Sequence, residues 1–159
     1  MGRRVERVKT GDINSLWYWS EIKHPLRLAL NFFVIYLCRY IPSLRLKNAL
    51  YRVIGIKVGE NVSVGLGTIF DIFFPEMITI GNNSIIGYGS VILGHEFLIE
   101  EYRVGKVEIG KNVMVGANCT LLPGISIGDR STVSACSLVN RDVPSNTMVG
   151  GVPINIIER

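Results

Sequence analysis

The chain has two histidines, and one of them, His95, falls where a regular pattern breaks and carboxylates gather. It sits in the stretch ILGHEFLIEEYRVGKVEIG, with Glu96, Glu100 and Glu101 close behind it. Imidazole titrates near neutral pH and can take a proton from a hydroxyl, making it a nucleophile; such general-base assistance contributes typically about 10²–10⁴-fold. A carboxylate on the other ring nitrogen would fix the tautomer and raise basicity. Glu100 and Glu101 are the candidates for that orienting role, because Glu96 adjoins the histidine too closely in sequence for a well-directed bond. The alternative is a surface histidine at the base of a loop. Metal chemistry has little to build on: Cys38, Cys119 and Cys136 show no C-x-x-C or ligand-like spacing, and two histidines are too few for a three-histidine zinc site. No metal is expected.

The pattern that His95 interrupts is a six-residue frame starting at residue 58. Its first position is apolar twelve times, at Val58, Val64, Phe70, Ile80, Ile86, Ile92, Ile109, Val115, Leu121, Ile127, Val133 and Val139. Gly often follows, and the fifth position is often small, as in Thr68, Ser84, Ser90, Cys119, Ser131 and Ser137. A period of six fits neither an amphipathic helix nor an alternating strand. It fits a solenoid with triangular coils, the first position pointing inward and the small fifth residue near a corner. Three hexads make a coil, so the fold class is mainly β, a parallel β-helix of about four coils. Between Ile92 and Ile109 the chain takes seventeen residues where six suffice. An insertion at a prism edge leaves the coils undisturbed, and loops on a rigid scaffold commonly carry function.

The rest of the chain divides by charge. Residues 1–54 carry ten Lys+Arg against three Asp+Glu, and residues 55–159 carry seven against ten, so the net charge of +4 is concentrated at the N-terminus. Residues 12–54 read as two or three helices. Pro25 suits a first turn, Pro42 stops the helix, Ser43 caps the next and Gly55 ends it. Their apolar faces either pack on the end of the repeat domain or a neighbouring subunit, or lie on an anionic membrane. On the membrane reading, Trp17, Tyr18, Trp19, Tyr36 and Tyr40 sit at the interface, and Arg27, Arg39, Arg45 and Lys47 meet headgroups. The uncharged run Leu28–Cys38 is too short to cross a bilayer, which needs about 20 residues. The repeat has no basic stripe with interleaved aromatics, so no nucleic-acid partner is expected. The start MGRRVERVKTGD lacks the apolar segment of a signal peptide. The expected location is cytoplasmic, with peripheral contact at the inner membrane surface as the variant reading.

The hexads, together with the closing segment LLPGISIGDRSTVSACSLVNRDVPSNTMVGGVPINII, resemble the hexapeptide-repeat acyltransferases, in particular the maltose, galactoside and nodulation-factor O-acetyltransferase branch. The resemblance covers about residues 52–157. It implies a left-handed coil, against the usual right-handed preference of β crossovers, and a homotrimer with acyl-CoA in the groove between adjacent prisms. It implies domains of 1–54 (helical, packing or membrane-surface) and 55–159 (β-helix acyltransferase with an extruded loop, 94–106).

By the same resemblance, the histidine of ILGHE is the general base, and acetyl-CoA is the co-substrate. The acceptor would be a sugar or glycan-like hydroxyl. The backbone around Gly116, Ala117, Ser134 and Ala135 would meet the pantetheine arm, with Arg141 and Arg159 reaching phosphate. Asp71, Tyr102 and Arg103 are candidates to bind the acceptor; Asp71 otherwise satisfies a turn. The aromatic bulge Phe70, Phe73 and Phe74 reads as core, subunit contact or an apolar wall for a lipid-linked acceptor. Where the family commonly has an acceptor-binding Asn, this chain has Gly65. Two other functions compete: N-acetyl transfer to an amino or nucleotide sugar, and a trimeric scaffold without catalysis.

Overall fold

A computed structural model describes residues 2–158. From residue 57 onward the chain coils into a prism with three parallel sheets. One sheet stacks Lys57–Val58, Ile78–Ile80, Val107–Ile109 and Ser126–Ile127; the second stacks Ser63–Val64, Ile85–Ile86, Met114–Val115, Thr132–Val133 and Met148–Gly150; the third stacks Ile69–Phe70, Val91–Ile92, Thr120–Leu121 and Leu138–Val139. Four full coils and part of a fifth result, wound left-handed. Asn155–Ile156 closes the end by pairing antiparallel with the last strand.

Register follows the hexad. Val64, Ile86, Val115, Val133 and Val149 pair in one column, and Phe70, Ile92, Leu121 and Val139 in another. Every first-position residue is buried. A one-residue slip would turn this whole set outward, so burial fixes the pairing. The fifth-position residues are buried too, and their hydroxyls tie coil to coil. Ser84 Oγ donates to Gly110 O and accepts from Val113 N; Ser90 Oγ does the same with Gly116 O and Cys119 N. That is why a small polar residue is stable inside.

The fourth hexad position has its own rule. Asn61, Asn83, Asn112, Arg130 and Asn146 share one corner with φ between 54° and 59°, while Gly67, Gly89, Asn118 and Cys136 share another, also at positive φ. Left-handed backbone suits Gly and Asn and costs other residues about 1–2 kcal/mol.

The N-terminal helices close the first coil. Here α1 spans Trp19–Ile22, α2 Pro25–Cys38 and α3 Leu44–Val53. Pro25 occupies the first turn of α2, and the Ser43 hydroxyl accepts from Leu46 N at the start of α3. The first coil has no neighbour on this side, so its carbonyls need donors. Lys47 Nζ gives them to Val64 O (2.7 Å) and Gly65 O (3.1 Å), Asn48 to Val62 O, Asn31 to Ile72 O, and Arg52 to Val58 O and Gly59 O. Val34, Ile35, Cys38, Tyr51 and Ile54 cover the apolar end, with Tyr51 edge-on to Phe70 at 4.8 Å. Lys47, expected to face headgroups on the membrane reading, is therefore enclosed, because coil carbonyls outcompete solvent for its ammonium.

Burial raises the Cys38 and Cys119 thiols above their ordinary 9.0 and the Tyr51 phenol above its ordinary 10.0, and it lowers the Lys47 ammonium below its ordinary 10.5. The thiols and phenol hold their protons longer folded than unfolded, so their contribution is complete below pH 9.0 and declines as the unfolded chain ionises above it. Lys47 acts oppositely, its penalty shrinking as pH approaches 10.5. With three groups against one, the melting temperature is expected to fall above about pH 9. Tyr51→Phe should flatten that fall above about pH 10 and be nearly neutral at pH 7, since the buried hydroxyl has no hydrogen-bond partner among the described residues. A pH series of thermal melts checks both. Separately, Cys136→Gly should raise stability by about 1 kcal/mol in denaturant titration, by relieving left-handed backbone.

Candidate active site

The insertion after the second coil is a small sheet. His95–Phe97 pairs antiparallel with Glu101–Val104, which pairs in turn with Glu6–Lys9 from the N-terminus. The alternation in HEF and EYRV sorts the two faces. His95, Phe97, Tyr102 and Val104 share one; Glu96, Glu101 and Arg103 share the other. The N-terminal arm holds this sheet at several points: Thr10 N donates to Glu100 O, Ser15 N to Leu98 O, and Arg3 pairs with Glu96 at 2.9 Å. Further down, Arg4 N donates to Gly124 O and its guanidinium pairs with Asp142. Nothing in the charged run ERVK signals such a strand, because its partner lies some ninety residues away.

His95 is held by Asp71. The carboxylate is fully enclosed, and the imidazole side chain is 13% exposed. Asp71 Oδ1 accepts from Phe73 N and Phe74 N, both at 2.8 Å, which turns the FDIFFPEM bulge. Its Oδ2 accepts from Gly94 N (2.7 Å), His95 N (2.9 Å) and His95 Nδ1 (2.5 Å). Five donors and no acceptor face one carboxylate. With Nδ1–H committed to Asp71, the lone pair of the neutral ring is on Nε2, which has no hydrogen-bond partner among the described residues. Gly94 lets the backbone pass the bulge: a Cβ there would lie 3.0 Å from Phe74 O and 3.2 Å from Met77 Cβ.

Three phenylalanines fix the ring plane. Phe97, Phe73 and Phe74 lie with ring centroids 4.6, 4.9 and 5.7 Å from the imidazole. Phe70 is instead wholly in the core. The aromatic bulge thus divides between scaffold and site.

The orienting group is accordingly Asp71, not Glu100 or Glu101. Glu101 binds Arg103 Nε at 2.6 Å on the opposite face of the hairpin, and Glu100 is exposed at its tip. Asp71, expected at the acceptor, has both oxygens occupied by the bulge, the hairpin base and His95. Arg103 is engaged by Glu101, and Tyr102 lies across from Phe97.

Gly116, Ala117, Ser134 and Ala135 do come together, stacked at one corner of the third and fourth coils. A Cβ on Gly116 would fall 2.5 Å from Ala135 N, so coil stacking alone requires glycine there. The same corner carries Leu66 and Tyr88, both exposed, in the first two coils, then Ala117 and Ala135. The edge thus changes from bulky to small side chains along the prism. Arg141 is not at this corner; it donates to Ile154 O at 2.6 Å in the closing turn. Arg159 lies outside the described residues. Gly65, at the acceptor-binding Asn position of the resembling enzymes, packs under Tyr88 N. Among the described residues no group of His, Cys, Asp and Glu could hold a metal ion.

A hexapeptide-repeat prism bearing a hairpin-borne imidazole–carboxylate pair defines the class of a β-helix transferase. The family model of bacterial transferase hexapeptide repeats matches residues 106–141. A Bacillus subtilis (strain 168) protein carrying the name of an acetyltransferase, YvoF, is 49% identical over 98% of this chain and 91% of its own length. Galactoside O-acetyltransferase of Escherichia coli K12 is 33% identical over 64% of this chain and 53% of its own. Among solved structures, the hexapeptide-repeat acetyltransferase VCA0836 of Vibrio cholerae with acetyl coenzyme A superposes with a TM-score of 0.71 at 22% identity, over 84% of this chain and 86% of that one. A galactoside acetyltransferase with coenzyme A gives 0.66 at 23% identity, over 84% and 80%. The chain belongs to the hexapeptide-repeat transferase family, among its acetyltransferases.

Replacing Asp71 by Asn would put an amide NH₂ against backbone N–H donors. Asp71→Asn should lower stability by about 1–3 kcal/mol in urea titration. It should also lower kcat, with a changed pH profile, while leaving KM for the acyl donor nearly unchanged.

Proposed function

We propose that this protein transfers the acetyl group of acetyl-CoA to a hydroxyl of a sugar or glycan-like acceptor, with His95 as general base and Asp71 as its positioning residue. The observation that carries the reading is the Asp71 carboxylate: its contacts leave His95 Nε2 as the free basic atom beside an otherwise apolar ring pocket. Acetyl-CoA supplies an activated thioester when bound. His95 Nε2 takes the acceptor hydroxyl proton as its oxygen bonds to the acyl carbon. Asp71 keeps the resulting imidazolium in place, and the same Nε2 returns the proton to the departing sulfur. The base is therefore regenerated in one turnover, with no covalent enzyme intermediate. The donor's pantetheine arm would run past Gly116, Ala117, Ser134 and Ala135, where small side chains permit it. Acetyl-CoA as donor fits a cytoplasmic location.

Gly116 and Ala117 precede the Thr120–Leu121 strand and Ser134 and Ala135 precede Leu138–Val139, whereas His95 follows Val91–Ile92, and these three strands stack in one sheet. Base and groove thus stand at opposite edges of a single prism face, which supports a homotrimer in which one chain's histidine serves its neighbour's groove. His95→Ala should reduce thiol release by at least about 10²-fold without changing the oligomeric mass. Ala135→Trp, filling the groove, should also be inactive. Co-assembled in equal amounts, the two should regain roughly a quarter of full activity, the fraction of interfaces pairing an intact histidine with an intact groove. No recovery would rule out a shared site. Detecting thiol release across hydroxyl and amino acceptors separates O- from N-transfer, and no release with any acceptor would leave the scaffold reading standing.

A further inference from the structure

The helix that caps the prism has a second face that the chain leaves bare. On one side, Asn31, Val34, Ile35 and Cys38 of α2 are buried against the first coil. On the other, Leu26 (77% exposed), Leu30, Phe33 (69%) and Leu37 (57%) recur at spacings of four, three and four, a single helical stripe. Phe32 and Tyr36 widen it, and Tyr40 continues it past the helix end. No charge interrupts the stripe. The one charged residue within α2, Arg27, turns away and donates to Ile54 O. Proteins in water rarely expose contiguous apolar surface of this kind without a use for it.

We infer that the outward face of α2 docks on an anionic phospholipid surface, lying in its plane. Charge selects this occupant. From Ile22 to Gly59 the chain has no Asp or Glu and seven Lys+Arg. Lys47 is buried and Lys23 is paired with Glu76, while Arg45 is exposed in the first turn of α3. A second copy packed face to face would set this acid-free, cationic segment against itself, which like-charge repulsion opposes. An anionic bilayer presents the complementary sign, and basic segments near it gain attraction that a neutral one does not provide. Polar-tipped aromatics suit the boundary: Tyr36 and Tyr40 flank the stripe, with the Arg39 guanidinium 5.4 and 5.8 Å from their ring centroids. Geometry fixes the mode. Fourteen residues make a helix about 21 Å long, and no helix among the described residues is long and apolar enough to cross a membrane. Only an in-plane position buries the stripe.

Flotation of the full chain on a density gradient with vesicles tests this. Vesicles of phosphatidylcholine with about 30% phosphatidylglycerol should carry at least roughly tenfold more protein than phosphatidylcholine alone. Leu30→Ser/Phe33→Ser should lose that binding by about tenfold or more, keep its oligomeric mass by light scattering, and still release thiol with a soluble acceptor. Leu26→Ser, at the most exposed position, serves if the double variant misfolds. Equal binding to both vesicle types, undiminished binding by the variants, or a change in oligomeric mass (the face then being covered by another copy) would each overturn the proposal. None of these outcomes depends on whether acetyl transfer itself is confirmed.

Discussion

Phe70 stacks on Ile92, and the candidate chemistry depends on that register. The pairing sets the residue after Phe70 beside the residues that follow Ile92. Asp71 therefore reaches Gly94 and His95 across one inter-coil step, although they are more than twenty positions apart in sequence. Inward burial of each hexad's first residue holds the register, so the same apolar contacts that stabilise the prism also align the carboxylate with the imidazole. The fifth-position hydroxyls reinforce this by bonding between coils at distances near 3 Å.

A prism of stacked coils has an open end, and the N-terminal helices resolve it with polar rather than apolar means. Lys47, Asn48 and Arg52 line one side of α3 and reach coil carbonyls that would otherwise be buried without donors. An enclosed lysine is ordinarily unfavourable. Here two carbonyls replace its water, and the residual cost shows as a lowered ammonium pKa. The N-terminal arm extends such contacts to the candidate site, passing from the fourth coil, where Arg4 meets Asp142, to the hairpin, where Arg3 holds Glu96, the residue after His95.

Much of this was legible in the hexads. The apolar first position, small fifth position and interruption at His95 imply a prism with an insertion between its coils, and the residues of the small-sided corner do stack together. The left-handed fourth position was equally available, as Asn and Gly recurring before the small residue, but it shows only when the hexads are compared by backbone demand rather than by hydropathy. The insertion itself alternates HEF and EYRV, a period-two signal of a hairpin that its length and charge obscured. Proximity in sequence points to the glutamates near His95 as the orienting carboxylate, but strand alternation turns Glu101 and Glu96 to the opposite face, where Arg103 and Arg3 meet them.

By itself, then, the sequence determined what repeats: period, inward residues, coil count and the place where the coil opens, all of which follow from local backbone geometry and burial. Tertiary structure decided what depends on contacts between distant segments. These are the choice of Asp71 as partner to His95, the strand Glu6–Lys9 completing the hairpin sheet, and the division of α2 into a packed and a bare face. Hydropathy shows that α2 is apolar over most of its surface, Arg27 and Asn31 apart, but only the position of the first coil fixes which side of it is covered.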